Sequence, residues 1–212
     1  MLLGAMLPCL ALLQGNVEAA TPGVESSWIL ARLARPAPMS TPFVEVRDSP
    51  MLKAPLRIQG LYVRPDADTL VREVRSPYAE TTTIRAGEAT IARDGRTPRR
   101  FSLSRVPELA SLQASFGALL TGDGESLSRS YRIESSGTRQ RWTLTLVPKD
   151  AKLANRVRDI VLHGRGAELR CIETRPAKGD TQRTLLAGAA RSAREVTDGA
   201  ALAAICRQDD KA

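Results

Sequence analysis

The sequence predicts a mainly β fold with helices: a strongly curved antiparallel sheet, or incomplete barrel, interrupted by one central amphipathic helix. Three observations predict it. Short alternating segments bounded by turn residues recur from Phe43 to Leu186. One stretch, 106–120, breaks that rhythm with helical spacing. No internal repeat of roughly 20–50 residues is present, which argues against a propeller or solenoid. A length of 212 residues fits a single domain. With 42% hydrophobic and 25% charged residues, the chain is neither disordered nor an integral membrane protein.

The elements follow in order. Residues 1–13 (MLLGAMLPCLALL) are apolar, and Val17-Glu18-Ala19 supplies small residues where a signal peptidase reads. This predicts a signal peptide over 1–19, cleaved near Ala19, although no Lys or Arg precedes the run. The run is too short to span a bilayer, which takes about 20 residues. The expected mature domain is then 20–212, with a β core over 43–186. Ser26–Leu33 reads as a short helix with Trp28, Ile29 and Leu33 on one side, and Pro36, Pro38 and Pro42 stop it.

Strands begin at Phe43, where Phe43/Glu45 alternate with Val44/Val46. Leu56–Val63 carries Leu56, Ile58 and Tyr62 on one face, and Thr69–Arg75 follows. Thr81–Arg85 and Ala89–Arg93 flank Gly87 as a hairpin. The central helix places Leu109, Leu112, Phe116, Leu119 and Leu120 on one stripe, with Pro107 in its first turn and Gly122 past its end. A shorter helical piece covers 124–130. Strands return at Tyr131–Glu134 and Arg141–Val147, where Trp142, Leu144 and Leu146 share a face. Arg158–His163, Glu168–Thr174 and Thr181–Leu186 follow, and 192–206 reads as one Ala-rich helix.

Little in this chain can carry catalysis. There is one histidine, His163, in an alternating strand, and no Gly-x-Ser-x-Gly elbow. Cys9, Cys171 and Cys206 lack the spacing of a zinc site, so neither metal nor cofactor is expected and the protein reads as a non-enzyme. Cys9 leaves with the signal. The remaining pair reads as a disulfide between Cys171 and Cys206, the alternative being two free thiols. The net charge is +8, with the basic residues densest from Arg96 to Arg105. That charge is either a solvated surface or a contact for anionic headgroups or an acidic partner. Aromatics are only 4%, so base stacking is poorly supplied and no nucleic acid is expected.

The order of motifs resembles the LolA family of periplasmic lipoprotein carriers, and more closely its divergent LolA-like subgroup. The resemblance runs through FVEVRDSPMLKAPLRIQG (43–60), GLYVRPDADTLVREVRSPY (60–78), VPELASLQASFGALLTGD (106–123), WTLTLVPKD (142–150) and IVLHGRGAELRCIETRPAKGDTQRTLL (160–186). It implies an incomplete antiparallel barrel closed by a helical lid, with acyl chains held between them. Arg64 matches the family arginine that latches the lid through backbone carbonyls. Leu70 is the nearest apolar match to the cavity residue that follows it, and Arg72-Glu73 stand where the family has an aromatic. Leu109, Leu112, Phe116 and Leu119 would form the lid, and Leu70, Trp142, Leu144 and Leu146 the wall. The implied function is a monomeric periplasmic carrier of an acyl lipid or lipoprotein, passed from an inner-membrane donor to an outer-membrane acceptor. The alternative is a non-transporting interaction or sensor module on the same scaffold, with the helix as fixed core.

Overall fold

The computed structural model describes residues 23–47, 56–103, 118–119 and 121–207. The expected signal peptide and most of the central helix, including Leu109, Leu112 and Phe116, lie outside the described residues. The helices are α1 (Ser26–Leu33), α2 (Gly124–Ser130), α3 (Ala151–Ala154), α4 (Ala187–Ser192) and α5 (Gly199–Arg207). The strands are β1 (Met39–Arg47), β2 (Leu56–Arg64), β3 (Thr69–Ser76), β4 (Glu80–Arg85), β5 (Glu88–Arg93), β6 (Arg99–Ser102), β7 (Tyr131–Gly137), β8 (Trp142–Pro148), β9 (Val157–Arg165), β10 (Glu168–Pro176) and β11 (Gln182–Leu186).

All eleven described strands form one antiparallel sheet in the order β6-β5-β4-β3-β2-β1-β11-β10-β9-β8-β7. The sheet does not close: β6 and β7 are its two edges, as expected of an incomplete barrel. The meander is joined only at its centre, where β1 pairs with β11, Phe43 opposite Leu186. Bulges bend it. At Gly60, beside a register shift, a Cβ would sit 1.8 Å from the Glu73 carbonyl oxygen, so only glycine fits there. Between β4 and β5, Ala86 and Gly87 both have positive φ, as a two-residue hairpin turn demands.

The alternation read from the sequence sorts side chains onto two faces. On the concave face, Trp142, Leu144 and Leu146 of β8 and Leu162 of β9 are buried against Ile29, Leu30 and Leu33 of α1. Beside them on the same face, Phe43, Ile58, Val74 and Leu186 form a second cluster. On the convex face, Val44, Val46, Cys171 and Leu185 pack under α4 and α5. β1 is therefore buried on both sides, with Phe43 and Val44 each nearly inaccessible.

The C-terminal region differs from the single helix expected over 192–206. It forms two helices, α4 and α5, separated by a turn. Two features break it. Arg57 of β2 donates to the carbonyls of Ala193, Arg194 and Val196, satisfying the end of α4. The Asp198 carboxylate accepts from the Ala201 N–H at 2.7 Å and starts α5 anew. The Cys171–Cys206 disulfide then fastens α5 to β10.

Candidate functional site

A cavity of about 490 Å³ opens where β1 begins, β2 ends and the β9–β10 turn meets the exit of α1. Its wall is mainly apolar, built from Leu33, Met39, Val63, Leu70, Leu169 and Leu186. Its polar groups are Arg35, Arg64, Arg165 and Glu168, with Thr41 and Tyr62. The volume lies within the range of about 300–1,000 Å³ typical of small-ligand sites.

The chain around this cavity is tied by arginine-to-carbonyl bonds. Arg64, the last residue of β2, is 6% exposed. Its Nη1 donates to the Arg35 carbonyl at 3.0 Å and its Nη2 to the Ala67 carbonyl at 3.4 Å. Arg35 lies two residues past α1, and its own Nη2 donates to the Ala167 carbonyl at 2.8 Å. The exit of α1 is thereby joined to the β2–β3 turn on one side and to the β9–β10 turn on the other.

The β2–β3 turn is fixed by Asp66, whose carboxylate accepts from the Thr69 hydroxyl and from the N–H groups of Asp68 and Thr69. The Thr69 hydroxyl foremost, and then these N–H groups, hold the Asp66 carboxyl below its ordinary range. This places Leu70 at the start of β3, against the cavity.

The β9–β10 turn is held by Trp142, whose Nε1 donates to the Gly166 carbonyl at 3.0 Å. Its indole lies over Gly164, where a Cβ would fall 2.0 Å from the ring. The tryptophan supports the turn that carries Arg165, Ala167, Glu168 and Leu169 to the cavity.

Of the residues expected at the site, Arg64 and Leu70 line the cavity. Trp142, Leu144, Leu146 and Leu119 lie together in the packed cluster under α1, not in the cavity wall. The sequence reading missed Leu33, Met39, Leu169 and Leu186, and the arginines Arg35 and Arg165. Leu186 carried a signal, since it ends the last alternating strand. The others required knowing where α1 ends relative to the sheet. Where the resemblance marks a missing aromatic, Arg72 pairs with Glu45 at 3.0 Å and lies over the Phe43 ring at 4.8 Å. Thr184 also bonds Glu45, so this polar cluster is internally matched.

The family model described as "Outer membrane lipoprotein carrier protein LolA-like" matches residues 18–209. The chain belongs to this LolA-like family. It is also similar to a crystal structure of a LolA superfamily protein from Nitrosomonas europaea, at 12% identity and a TM-score of 0.39, over 79% of this chain and 91% of that one. No curated protein matches it.

This LolA-like chain carries a second ionisable cluster, on the convex face. Glu173 is 2% exposed, its Oε1 accepting from Arg183 at 2.6 Å and its Oε2 lying 3.3 Å from His163 Nε2. The hydrogen bond from His163 foremost, with the bond and charge of Arg183, holds Glu173 down to about 2 against the opposing effect of burial. His163, Glu173 and Cys206 bring potential ligand atoms within 4.8 Å of one another. The Cys206 sulfur is bonded to Cys171, so this group offers no thiolate, and its carboxylate is already matched by Arg183. It reads as a structural network. Among the described residues, no helix is long and apolar enough to cross a membrane.

Proposed function

We propose that this LolA-like protein is a periplasmic carrier that holds acyl chains of a lipid or lipoprotein in the cavity beside α1 and carries them toward the outer membrane. The observation that supports it most is an apolar cavity of about 490 Å³ left between the concave face and the exit of α1. Each CH₂ group removed from water contributes about 0.8 kcal/mol, so such a cavity offsets the cost of moving an acyl chain through water. The reaction is transfer, with no bond made or broken and no catalytic residue required. Arg64 acts as a latch at the α1 exit, and Leu70 lines the acyl site. Leu109, Leu112 and Phe116 are assigned to the lid on the family resemblance. Donor and acceptor are membrane-bound proteins, and the carrier itself works as a monomer after loss of its signal peptide near Ala19.

The test is native mass spectrometry of the exported chain, purified without detergent. A bound lipid mass is expected, lost in Leu70→Asp and Leu169→Asp while the fold persists by circular dichroism. A clean unliganded mass, with no uptake of added fluorescent fatty acid, would overturn the carrier reading and favour an interaction module.

A further inference from the structure

We infer that the cavity selects amphiphiles with an anionic head, carboxylate or phosphate, and that Arg165 is the docking point for that head. The inference rests on the carrier reading for the tail and adds the charge of the cargo.

Among the described residues, three guanidinium groups line the cavity, those of Arg35, Arg64 and Arg165. Arg35 and Arg64 bond only to backbone carbonyls among the described residues, which satisfies donors but leaves the positive charge unbalanced. Arg165 is exposed and ends β9, and its side chain has neither a hydrogen bond nor an ion pair among the described residues. Among the described lining residues the carboxylate is that of Glu168, which stands opposite Arg165 across the hairpin, but one of its oxygens accepts from the Gly188 N–H at 2.6 Å and the other faces Arg170 at 3.6 Å.

Elsewhere on the same sheet, three arginines pair with carboxylates at close range. Arg72 pairs with Glu45, Arg93 with Glu80 and Arg183 with Glu173. At this rim three guanidinium groups stand beside an apolar wall, and none of them is paired with a carboxylate among the described residues. An alkyl tail fits the wall, and a carboxylate or phosphate head supplies the missing charge. A guanidinium fork binds either head with two parallel hydrogen bonds. Arg35 and Arg64 are occupied in holding the chain and contribute their field. Arg165 is free to reach the head.

The test is calorimetric titration of the purified, delipidated protein with three ligands of equal chain length: decanoate, decyl phosphate and decanol. A charge-assisted bond corresponds to roughly tenfold in affinity. Decanoate and decyl phosphate are therefore expected to bind at least about tenfold more tightly than decanol. Arg165→Gln weakens both anions far more than it weakens decanol and so removes most of that difference, and added salt narrows it. Equal affinity for all three heads, or an Arg165→Gln effect shared by decanol, overturns the head selectivity while the carrier reading stands. Binding of inorganic phosphate alone as tightly as decyl phosphate marks a free-anion site and also overturns it. No binding of any alkyl ligand overturns the carrier reading itself.

Discussion

At Gly164 the side chain of Trp142 occupies the space that any Cβ would need, 2.0 Å from its ring. Gly164→Ala must push the indole out of its place and strain the bond to Gly166. Overpacking of this kind costs about 1–3 kcal/mol, and thermal denaturation should show the lowered Tm. Glu173 makes a different prediction. Its carboxyl lies at about 2 instead of its ordinary 4.5. A carboxylate depressed in the folded state contributes stability that is complete above its unfolded value, about 4.5, and is lost as pH falls through about 2. The shift corresponds to about 3 kcal/mol. Glu173→Gln should therefore be less stable at neutral pH by about that amount, with a flatter stability profile between those two pH values, measured by urea unfolding. Both residues were visible in the sequence only as a glycine near a strand end and an acid in a strand. What makes them matter is the partner across the sheet.

Among the elements, α1 is held at its exit rather than along its polar side. The Arg64 guanidinium reaches carbonyls on both the α1 exit and the β2–β3 turn. Hydrogen bonds to a charged group are worth about 1.5–3 kcal/mol each. Arg64→Ala is expected to cost about that much and to speed amide exchange in α1 selectively, with the β8–β9 strands unchanged. At the other end of the chain, α5 is fastened to β10 by a disulfide that closes 35 residues of sequence. Loss of such a link costs about 3–4 kcal/mol in the chain-entropy account, so Cys206→Ser should lower the urea midpoint clearly. Most strands were legible because alternation and turn residues mark them independently of their surroundings. β6 was not, because Arg99 and Arg100 read as a solvated basic run until β5 is there to pair with them. The split between α4 and α5 was hidden as well, since Arg57, distant in sequence, caps the first of them.

For the whole molecule, the curved open sheet and its family were readable from the order of strands and turns. The location of the cavity was not. Helix α1 fills the concave face over β8 and β9, so Trp142, Leu144 and Leu146 become core. The cavity survives where that cover ends, beside β1 to β3, and Leu70 lies there. Alternation tells which residues share a face; it does not tell which half of that face a helix will cover. The architecture also sets a rate. With Phe43 paired to Leu186, contacts across the centre of the sheet are distant in sequence. Refolding of the intact chain should take milliseconds to seconds by stopped-flow fluorescence, as for other proteins rich in non-local pairing.

That central pairing also imposes a schedule on any chain delivered from its N-terminus. β1 emerges early, with one edge bonded to β2 and the other waiting for a partner that comes last. Until residue 186 is out, two separate meanders exist, β1 to β6 and β7 to β10, each with a bare edge that only the last strand can join to the other.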